Sequence, residues 1–346
     1  MDESESKTDE PESKTLRITA VGDIMLGRGV GSRLEKEGKG YIYAFEKVAD
    51  ILKEGDIVFG NLEGPITDRT HSLTAISKEN KVGKYVLKNK VAAFEAIKYA
   101  GFNLLSLANN HILDYYDKGL FDTFEILDQN GIAYSGAGRN LEEAREAAIV
   151  EKNGIKIGLL SYTDMAEVVY SGNPSISFIA GENKAGVAPR KIEYIREDIG
   201  KVRNNVDLLI ISLHWGIEES FKVSPEQVEF AHELIDLGAD VILGHHPHQF
   251  QGIEIYNGKP IMYSLGNFIF DQNDPENQEA FIVNLDYKDN ELVGITAIPV
   301  RTVEKTQVVP LTDVDAEALL RREIELSTAL NTRCVIEGGK LVFELK

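Results

Sequence analysis

Cysteine is almost absent from this chain of 346 residues, since Cys334 is the only one. No disulfide can form within the chain, and zinc sites built from several cysteines are excluded. The sequence also lacks any run of about 18 consecutive apolar residues, so no segment is predicted to be a membrane-spanning helix.

Basic residues are scarce as well. The chain has 37 Lys and Arg against 56 Asp and Glu, which gives a formal net charge of −19 at pH 7. A nucleic-acid partner is excluded, because phosphate binding needs clustered basic residues and no such run is present. Hydrophobic residues make up 43% of the chain, a share typical of globular proteins.

The first 14 residues contain almost no apolar side chains and are predicted to be a disordered leader or tether. Two interpretations stay open for it. The segment is either a solvated tail or a linker that follows an anchor absent from this sequence.

From residue 15 onward, short apolar runs alternate with helical patterns, which is typical of an α/β fold. Turn pairs predict hairpins, so antiparallel strands are mixed in. We expect the hairpins after Gly252 to form a second sheet packed against the first. The predicted hairpin turns are Asn153-Gly154, Asn257-Gly258, Asp289-Asn290 and Gly338-Gly339. Strands are predicted at Leu16–Val21, Ile57–Phe59, Leu104–Leu107, Ile155–Leu160, Leu208–Ser212, Val241–Leu243 and Ile261–Ser264. Helices are predicted at Tyr43–Lys53, Val91–Ala100, Leu120–Gln129, Arg190–Val202 and Pro225–Leu237.

Two further segments interrupt this pattern. Asp164–Pro189 is rich in Ser, Gly, Asn and Pro and is predicted to be a long loop. Residues 311–346 combine a helical stretch, Ala316–Leu330, with a final hairpin. We therefore expect a main domain over residues 15–310 and a C-terminal appendage over residues 311–346.

Polar side chains follow five of the predicted strands, at the point where each strand ends. Five of the seven histidines are among them. Because ligands of open α/β sheets bind outside the carboxyl ends of the strands, we expect these side chains to converge. In strand order they are Asp23; Asn61 and Glu63; Asn109, Asn110 and His111; His214; and His245, His246 and His248.

Each of these residues has an ordinary structural explanation when taken alone, as a turn residue, a helix cap or a packed core histidine. Together they form a coherent set of carboxylate, amide and imidazole donors without a thiolate. Such a set suits divalent Mn, Zn or Fe. We expect one or two ions per chain, since a carboxylate that bridges two ions is common in dinuclear hydrolases.

Six motifs occur in the order typical of one known family. They are AVGDIMLGR, GNLEGPIT, LANNHILDYYDKG, LHWG, GHHPHQFQGIE and YSLGNFIFDQ. Over residues 15–275 the chain resembles the CapA-type (PgsA-like) poly-γ-glutamate capsule biosynthesis proteins, a branch of the calcineurin-like metallophosphatase superfamily. The resemblance implies a four-layer α/β/β/α sandwich of two mixed sheets.

The resemblance also implies residue roles. His111 would be the catalytic histidine, acting as an acid or contacting a phosphate, and His245 would lie behind the ligands. Asn61 and Asn109 would support them. The metal ligands would be Asp23, Glu63, Asn110, His214, His246 and His248.

Two motifs depart from the superfamily pattern. Met25 stands where an Asp-x-His motif has its histidine, and Asn61 and Glu63 replace a typical Gly-Asp pair. Arg28 would either hold an anionic substrate or be an exposed surface arginine. Asp271 would either belong to the site or cap a turn.

The implied function is that of a metal-dependent hydrolase-like protein in poly-γ-glutamate capsule biosynthesis, export or anchoring. A metal-activated water would attack, and His111 would protonate the leaving group or stabilise its charge. The alternatives are a non-catalytic metal-binding component of a membrane polymer synthase and a general phosphoesterase. Partners would be poly-γ-glutamate or a phosphoester, with other components of a capsule synthase. The expected location is the extracellular face of a bacterial membrane, with an anchor preceding this sequence.

Overall fold

The computed structural model describes residues 13–72, 85–168 and 176–345. Most of the predicted leader therefore lies outside the described residues, as does the part of the predicted Asp164–Pro189 loop that spans 169–175. Across these ranges the strands are β1 Thr15–Ile24, β2 Ile57–Leu62, β3 Leu104–Ser106, β4 Ala133–Ser135, β5 Ala137–Gly138, β6 Ala148–Lys152, β7 Ile155–Thr163, β8 Glu167–Val168, β9 Ile176–Ser177, β10 Gly186–Val187, β11 Leu208–His214, β12 Val241–His245, β13 Phe250–Tyr256, β14 Lys259–Leu265, β15 Asn267–Ile269, β16 Glu279–Lys288, β17 Glu291–Val303, β18 Gln307–Pro310, β19 Cys334–Glu337 and β20 Lys340–Phe343.

Two large mixed sheets are built from these strands. The ten-stranded sheet has the order β19-β20-β17-β16-β1-β2-β3-β4, with β15 beside β1 and β18 beside β17. The six-stranded sheet has the order β13-β14-β12-β11-β7-β6. In each sheet the strands that precede the polar motifs are parallel neighbours, so their carboxyl ends lie at one edge.

Helices lie outside the two sheets. They are α1 Arg28–Lys36, α2 Ala49–Leu52, α3 Phe94–Ala100, α4 Tyr116–Gln129, α5 Leu141–Ala144, α6 Ile192–Val202, α7 Pro225–Asp236 and α8 Asp313–Ala329, with 3-10 turns at Tyr41–Ala44, Val91–Ala93, Arg203–Asn205 and Pro275–Gln278. Helix α7 begins with a capping box in which Ser224 and Gln227 bond each other's backbone.

The predicted helix over Tyr43–Lys53 is wrong. The segment instead forms a 3-10 turn and then the single turn α2. Its apolar residues Ala44, Phe45, Val48 and Leu52 are nevertheless all buried in one cluster. Two separate turns thus bury the apolar residues whose spacing in the sequence is that of one helix.

Three apolar clusters show where the layers meet. One joins the outer face of the ten-stranded sheet to α1–α4, and another joins the outer face of the six-stranded sheet to α6 and α7. The third takes residues from both sheets, among them Ile18, Phe59, Ile157 and Ile210. The two sheets therefore pack face to face.

All four predicted hairpin turns are confirmed, and each turn pair has the two positive φ angles of a type I′ turn. The expected assignment of the late hairpins to one second sheet is wrong. Strands β13 and β14 join the six-stranded sheet, whereas β16 to β20 join the ten-stranded one. The reason is that β1 pairs antiparallel with β16, Thr15 lying opposite Lys288.

The C-terminal helix and hairpin contact both sheets. Strand β20 pairs with β17, and Leu319 and Phe343 lie in the cluster between the sheets. Helix α8 also covers the edge strand β13, where the N–H of Ile253 donates to Glu323 and Ser327. These bonds satisfy backbone groups that an edge strand leaves unpaired.

Candidate metal centre

The expected convergence of the strand ends is found, and it joins both sheets. In the ten-stranded sheet Asp23 lies beside both Asn61 and Asn267, and in the six-stranded sheet His214 lies beside His245. Gly22 makes the pairing of Asp23 with Asn267 possible. A Cβ at position 22 would lie only 1.8 Å from the backbone oxygen of Gly266. Backbone therefore approaches backbone directly beneath the site.

The first donor group consists of Asp23, Glu63 and His248. One ligand atom from each lies within 4.8 Å of the others, and all three side chains are buried. The Nδ1 of His248 lies 2.9 Å from Oδ1 of Asn267, whose amide nitrogen donates to the Asn277 carbonyl. Nδ1 is therefore the protonated nitrogen, which leaves Nε2 as the metal donor.

The second donor group consists of Asn110, His214 and His246. The Nε2 of His214 lies 2.9 Å from Oδ1 of Asn110 and 3.2 Å from Nδ1 of His246. Burial and the neighbouring imidazoles lower the pKa of His214 and bring that of His246 to about 3. Both rings are thus neutral at pH 7, the form that binds a metal.

Backbone strain marks the turn that presents two of these rings. His246 and His248 have φ angles of 98° and 60°, in a region that side-chain-bearing residues rarely adopt. Such strain persists where the surrounding structure enforces it, often at functional sites.

The surroundings of Glu63 indicate whether this site fits a cation. Its side chain is 1% exposed, and among the described residues Oε2 has no hydrogen-bond partner. Burial and the nearby Asp23 carboxylate raise the pKa of Glu63 well above its usual value. Two buried carboxylates with an unpaired oxygen are costly without a positive charge, so the residues present fit a divalent ion.

Asn61 lies between the two donor groups. Its amide nitrogen donates to Oδ1 of Asp23 at 2.8 Å and lies 3.5 Å from Nδ1 of His214. Asn109 fixes this orientation, because its amide donates to Oδ1 of Asn61 at 3.1 Å. An N–H donor therefore stands between the groups, where a carboxylate would attract a cation.

His245 is completely buried beside Asp23. Its Nδ1 lies 3.2 Å from Oδ1 of Asp23, but neither ring nitrogen makes a well-formed hydrogen bond within the part of the chain that the structure describes. Burial works to raise the pKa of Asp23, and the surrounding histidines, His245 first among them, outweigh burial and lower it. His245 thus supports the ionised form of Asp23 from behind.

His111 faces the first donor group from the cavity side. Its Nε2 lies 3.9 Å from Oε1 of Glu63, while its Nδ1 lies 2.8 Å from Oδ2 of Asp114. The Leu87 N–H also donates to Oδ2 of Asp114, at 2.6 Å. Sequence reasoning missed Asp114, although its position three residues after His111 in ANNHILD is a usable signal.

A cavity of about 850 Å³ opens above the donors and is lined in part by Asn110, His111 and His248. Arg28 and Asp271 line it too, and they pair with each other through two contacts. Asp271 also accepts the Gly29 N–H at 3.0 Å. Arg28 is thus a partly buried arginine held at the cavity, and Asp271 holds its loop.

Comparison with known proteins adds family information to this geometry. Residues 17–272 match the family described as "Bacterial capsule synthesis protein PGA_cap". The chain belongs to this family.

Two relatives of the PGA_cap chain span nearly all of it. It is 31% identical to "Capsule biosynthesis protein CapA" of Bacillus anthracis, over 96% of this chain and 79% of that one. It is 32% identical to "PGA biosynthesis protein CapA" of Bacillus subtilis (strain 168), over 98% of this chain and 86% of that one. A solved structure of a hypothetical protein from Thermus thermophilus aligns with a TM-score of 0.46, at 14% identity, over 82% of this chain and 98% of that one.

The PGA_cap match contains both donor groups and ends before β16. Within the described residues, no helix is long and apolar enough to cross a membrane.

Proposed function

We propose that this chain is a metal-dependent hydrolase-like protein that takes part in bacterial poly-γ-glutamate capsule biosynthesis. One observation carries the chemistry. Asp23, Glu63 and His248 place ligand atoms within 4.8 Å of one another in a buried site. Membership of the PGA_cap family and the names of the two relatives support the pathway.

The proposed fold behind this function is the four-layer α/β/β/α order. The three apolar clusters support it, because each lies at one interface between successive layers. We propose residues 15–310 as the functional domain, since every donor lies there, with residues 311–346 completing the sheets.

Asp23, Glu63 and His248 would hold a first divalent ion, and Asn110, His214 and His246 would hold a second. A bound ion would supply Lewis acidity at the scissile group. His111 would move a proton at Nε2, because Asp114 holds Nδ1 and leaves Nε2 facing the cavity. Arg28 would contact an anionic group of the substrate at the cavity wall.

A non-catalytic metal-binding component of a polymer synthase is the second candidate. Two observations favour it. Met25 replaces a histidine of the first motif, and the Asn61 N–H stands between the donor groups. Both features reduce the number of anionic or imidazole ligands.

One experiment separates the two candidates. The purified chain would be stripped with a chelator, reloaded with Mn, Zn or Fe, and tested for metal content by elemental analysis. It would then be tested against aryl phosphates and a γ-glutamyl anilide. His248→Ala would remove the imidazole donor of the first group. His232→Ala would be the control, since His232 bonds Glu254 away from the site.

Stoichiometric metal and turnover, both lost in His248→Ala only, would support the hydrolase. Metal without turnover on either substrate class would support the non-catalytic component. Failure to bind any of the three metals would contradict both candidates.

The proposed location is the outer face of the bacterial membrane, with an anchor that precedes this sequence. Thr15 begins β1 and Asp23 lies near its carboxyl end, about 26 Å away at roughly 3.3 Å per residue. A tether on that side would leave the metal centre facing away from the membrane.

A further inference from the structure

Strand β19 forms one edge of the ten-stranded sheet, and its outer side has no strand partner within the described residues. The edge is apolar in its middle, where Val335 and Ile336 are 44% and 42% exposed. An edge of this kind is a template for another strand, because its outward N–H and C=O groups are unpaired.

Alternate residues of β19 bond to β20, and the register of the β19–β20 hairpin shows which ones do and which point outward. Glu337 lies opposite Lys340 across a two-residue turn, and such flanking pairs bond each other. The Glu344 N–H donates to the Arg333 carbonyl, which gives the same phase at the other end. Arg333, Val335 and Glu337 therefore bond inward, and Cys334 and Ile336 direct their backbone groups outward.

This pattern is complementary to itself. In an antiparallel pairing of two copies centred on Val335, Cys334 of one copy would bond Ile336 of the other, and the reverse. Arg333 of each copy would then lie opposite Glu337 of its partner, on the same face as Val335. Opposite charges meet at both ends, and two valines meet at the centre.

The charges are also available for such a contact. Arg333 and Glu337 are exposed, and among the described residues neither forms an ion pair. We propose that β19 is a homodimerisation edge, at which a second copy of this chain pairs antiparallel and extends the sheet across a two-fold axis.

Charge-swap variants test this pairing. Arg333→Glu places Glu opposite Glu in the homodimer, and Glu337→Arg places Arg opposite Arg. Each variant alone should weaken self-association at least about 10-fold. Mixing the two variants should restore it, because every pair in the mixed dimer is again one Arg against one Glu.

Sedimentation velocity of the whole chain, from about 1 to 300 μM, gives the readout. It should be run at about 0.15 M and 0.5 M salt, since the net charge of −19 per copy opposes association. Lys36→Glu and Glu229→Arg are the controls, being exposed residues with the same charge changes on α1 and α7. Both controls should associate like the unmodified chain.

Two results would overturn the proposal. The unmodified chain could stay monomeric over the whole range at both salt concentrations, in which case the edge takes a different strand or none. Alternatively, a dimer could form but tolerate both swaps, which would place its interface elsewhere. Because all four positions are exposed, thermal unfolding should show that every variant folds.

Discussion

Asn267 orients His248: the amide oxygen of Asn267 lies 2.9 Å from Nδ1 of the imidazole. The contact joins β15 of the ten-stranded sheet to the turn that follows β12 of the six-stranded sheet. One hydrogen bond thus couples the two sheets and leaves Nε2 of His248 free for the proposed ion.

Replacing Asn267 with Leu should weaken metal binding by about 10- to 100-fold, because the imidazole loses the partner that selects its tautomer. Titration calorimetry of the metal-free protein with Mn or Zn measures this change. Asn204→Leu is the control, since Asn204 is exposed and distant. Equal affinities for the two variants would contradict the orienting role.

Asp114→Asn should lower turnover by about 10- to 100-fold while the metal content stays the same. The carboxylate is expected to orient His111 through Nδ1, and it is not among the proposed ligands. Steady-state rates with an aryl phosphate, alongside elemental analysis, measure both quantities. Asp117→Asn, an exposed change on α4, should leave both unaltered. Loss of metal from Asp114→Asn would indicate a different role.

Asn61→Asp should have opposite effects on the metal-free and metal-loaded protein. Without metal, a third buried carboxylate beside Asp23 and Glu63 should lower the melting temperature. With metal, the new carboxylate lies between the donor groups and should tighten binding at least about 10-fold. Thermal melts with and without Mn measure both effects, as a lower melting temperature without the metal and a larger stabilisation by it. Asn204→Asp is the control. A variant destabilised equally in both states would show that this position does not face the ions.

Glu323 should make stability fall as the pH rises. Burial raises its pKa to about 8, above the ordinary value of 4.5. The folded state therefore binds a proton that the unfolded state has lost. This contribution is fully present below pH 4.5 and disappears as the pH rises toward 8, by roughly 1 kcal/mol per pH unit.

Glu323→Gln should remove that contribution, because glutamine does not titrate and its side-chain oxygen can still accept the Ile253 N–H. Urea unfolding at pH 5 and pH 8 measures the difference between the variant and the unmodified chain. Glu325→Gln, on the exposed face of α8, should keep the original pH dependence. An unchanged slope in Glu323→Gln would mean that Glu323 is ionised at neutral pH.

Much of the fold could be predicted from the sequence, because turns and strands depend largely on residues that are neighbours in the chain. Asn153-Gly154 and Gly338-Gly339 form the expected turns, since residues of that type tolerate positive φ locally. The positions of Asp23 and His214 were also predictable, because the apolar runs that precede them do form strands. The Tyr43–Lys53 helix failed because burial of Phe45 and Leu52 can be met by separate turns as well as by one helix.

The sequence by itself determined the donor types and their positions at strand ends, because both follow from local residue pattern. Only the tertiary structure decided how these donors divide into two groups. Each group combines donors from the strand ends of both sheets. Asp23 and Glu63 of the ten-stranded sheet meet His248 of the six-stranded sheet. Asn110, which follows β3 of the ten-stranded sheet, meets His214 and His246 of the six-stranded sheet. That grouping depends on the packing of the two sheets face to face. The partner Asn267 became visible only when distant strands met, since its hydrogen bond of about 3 Å to His248 depends on packing and not on spacing in the chain.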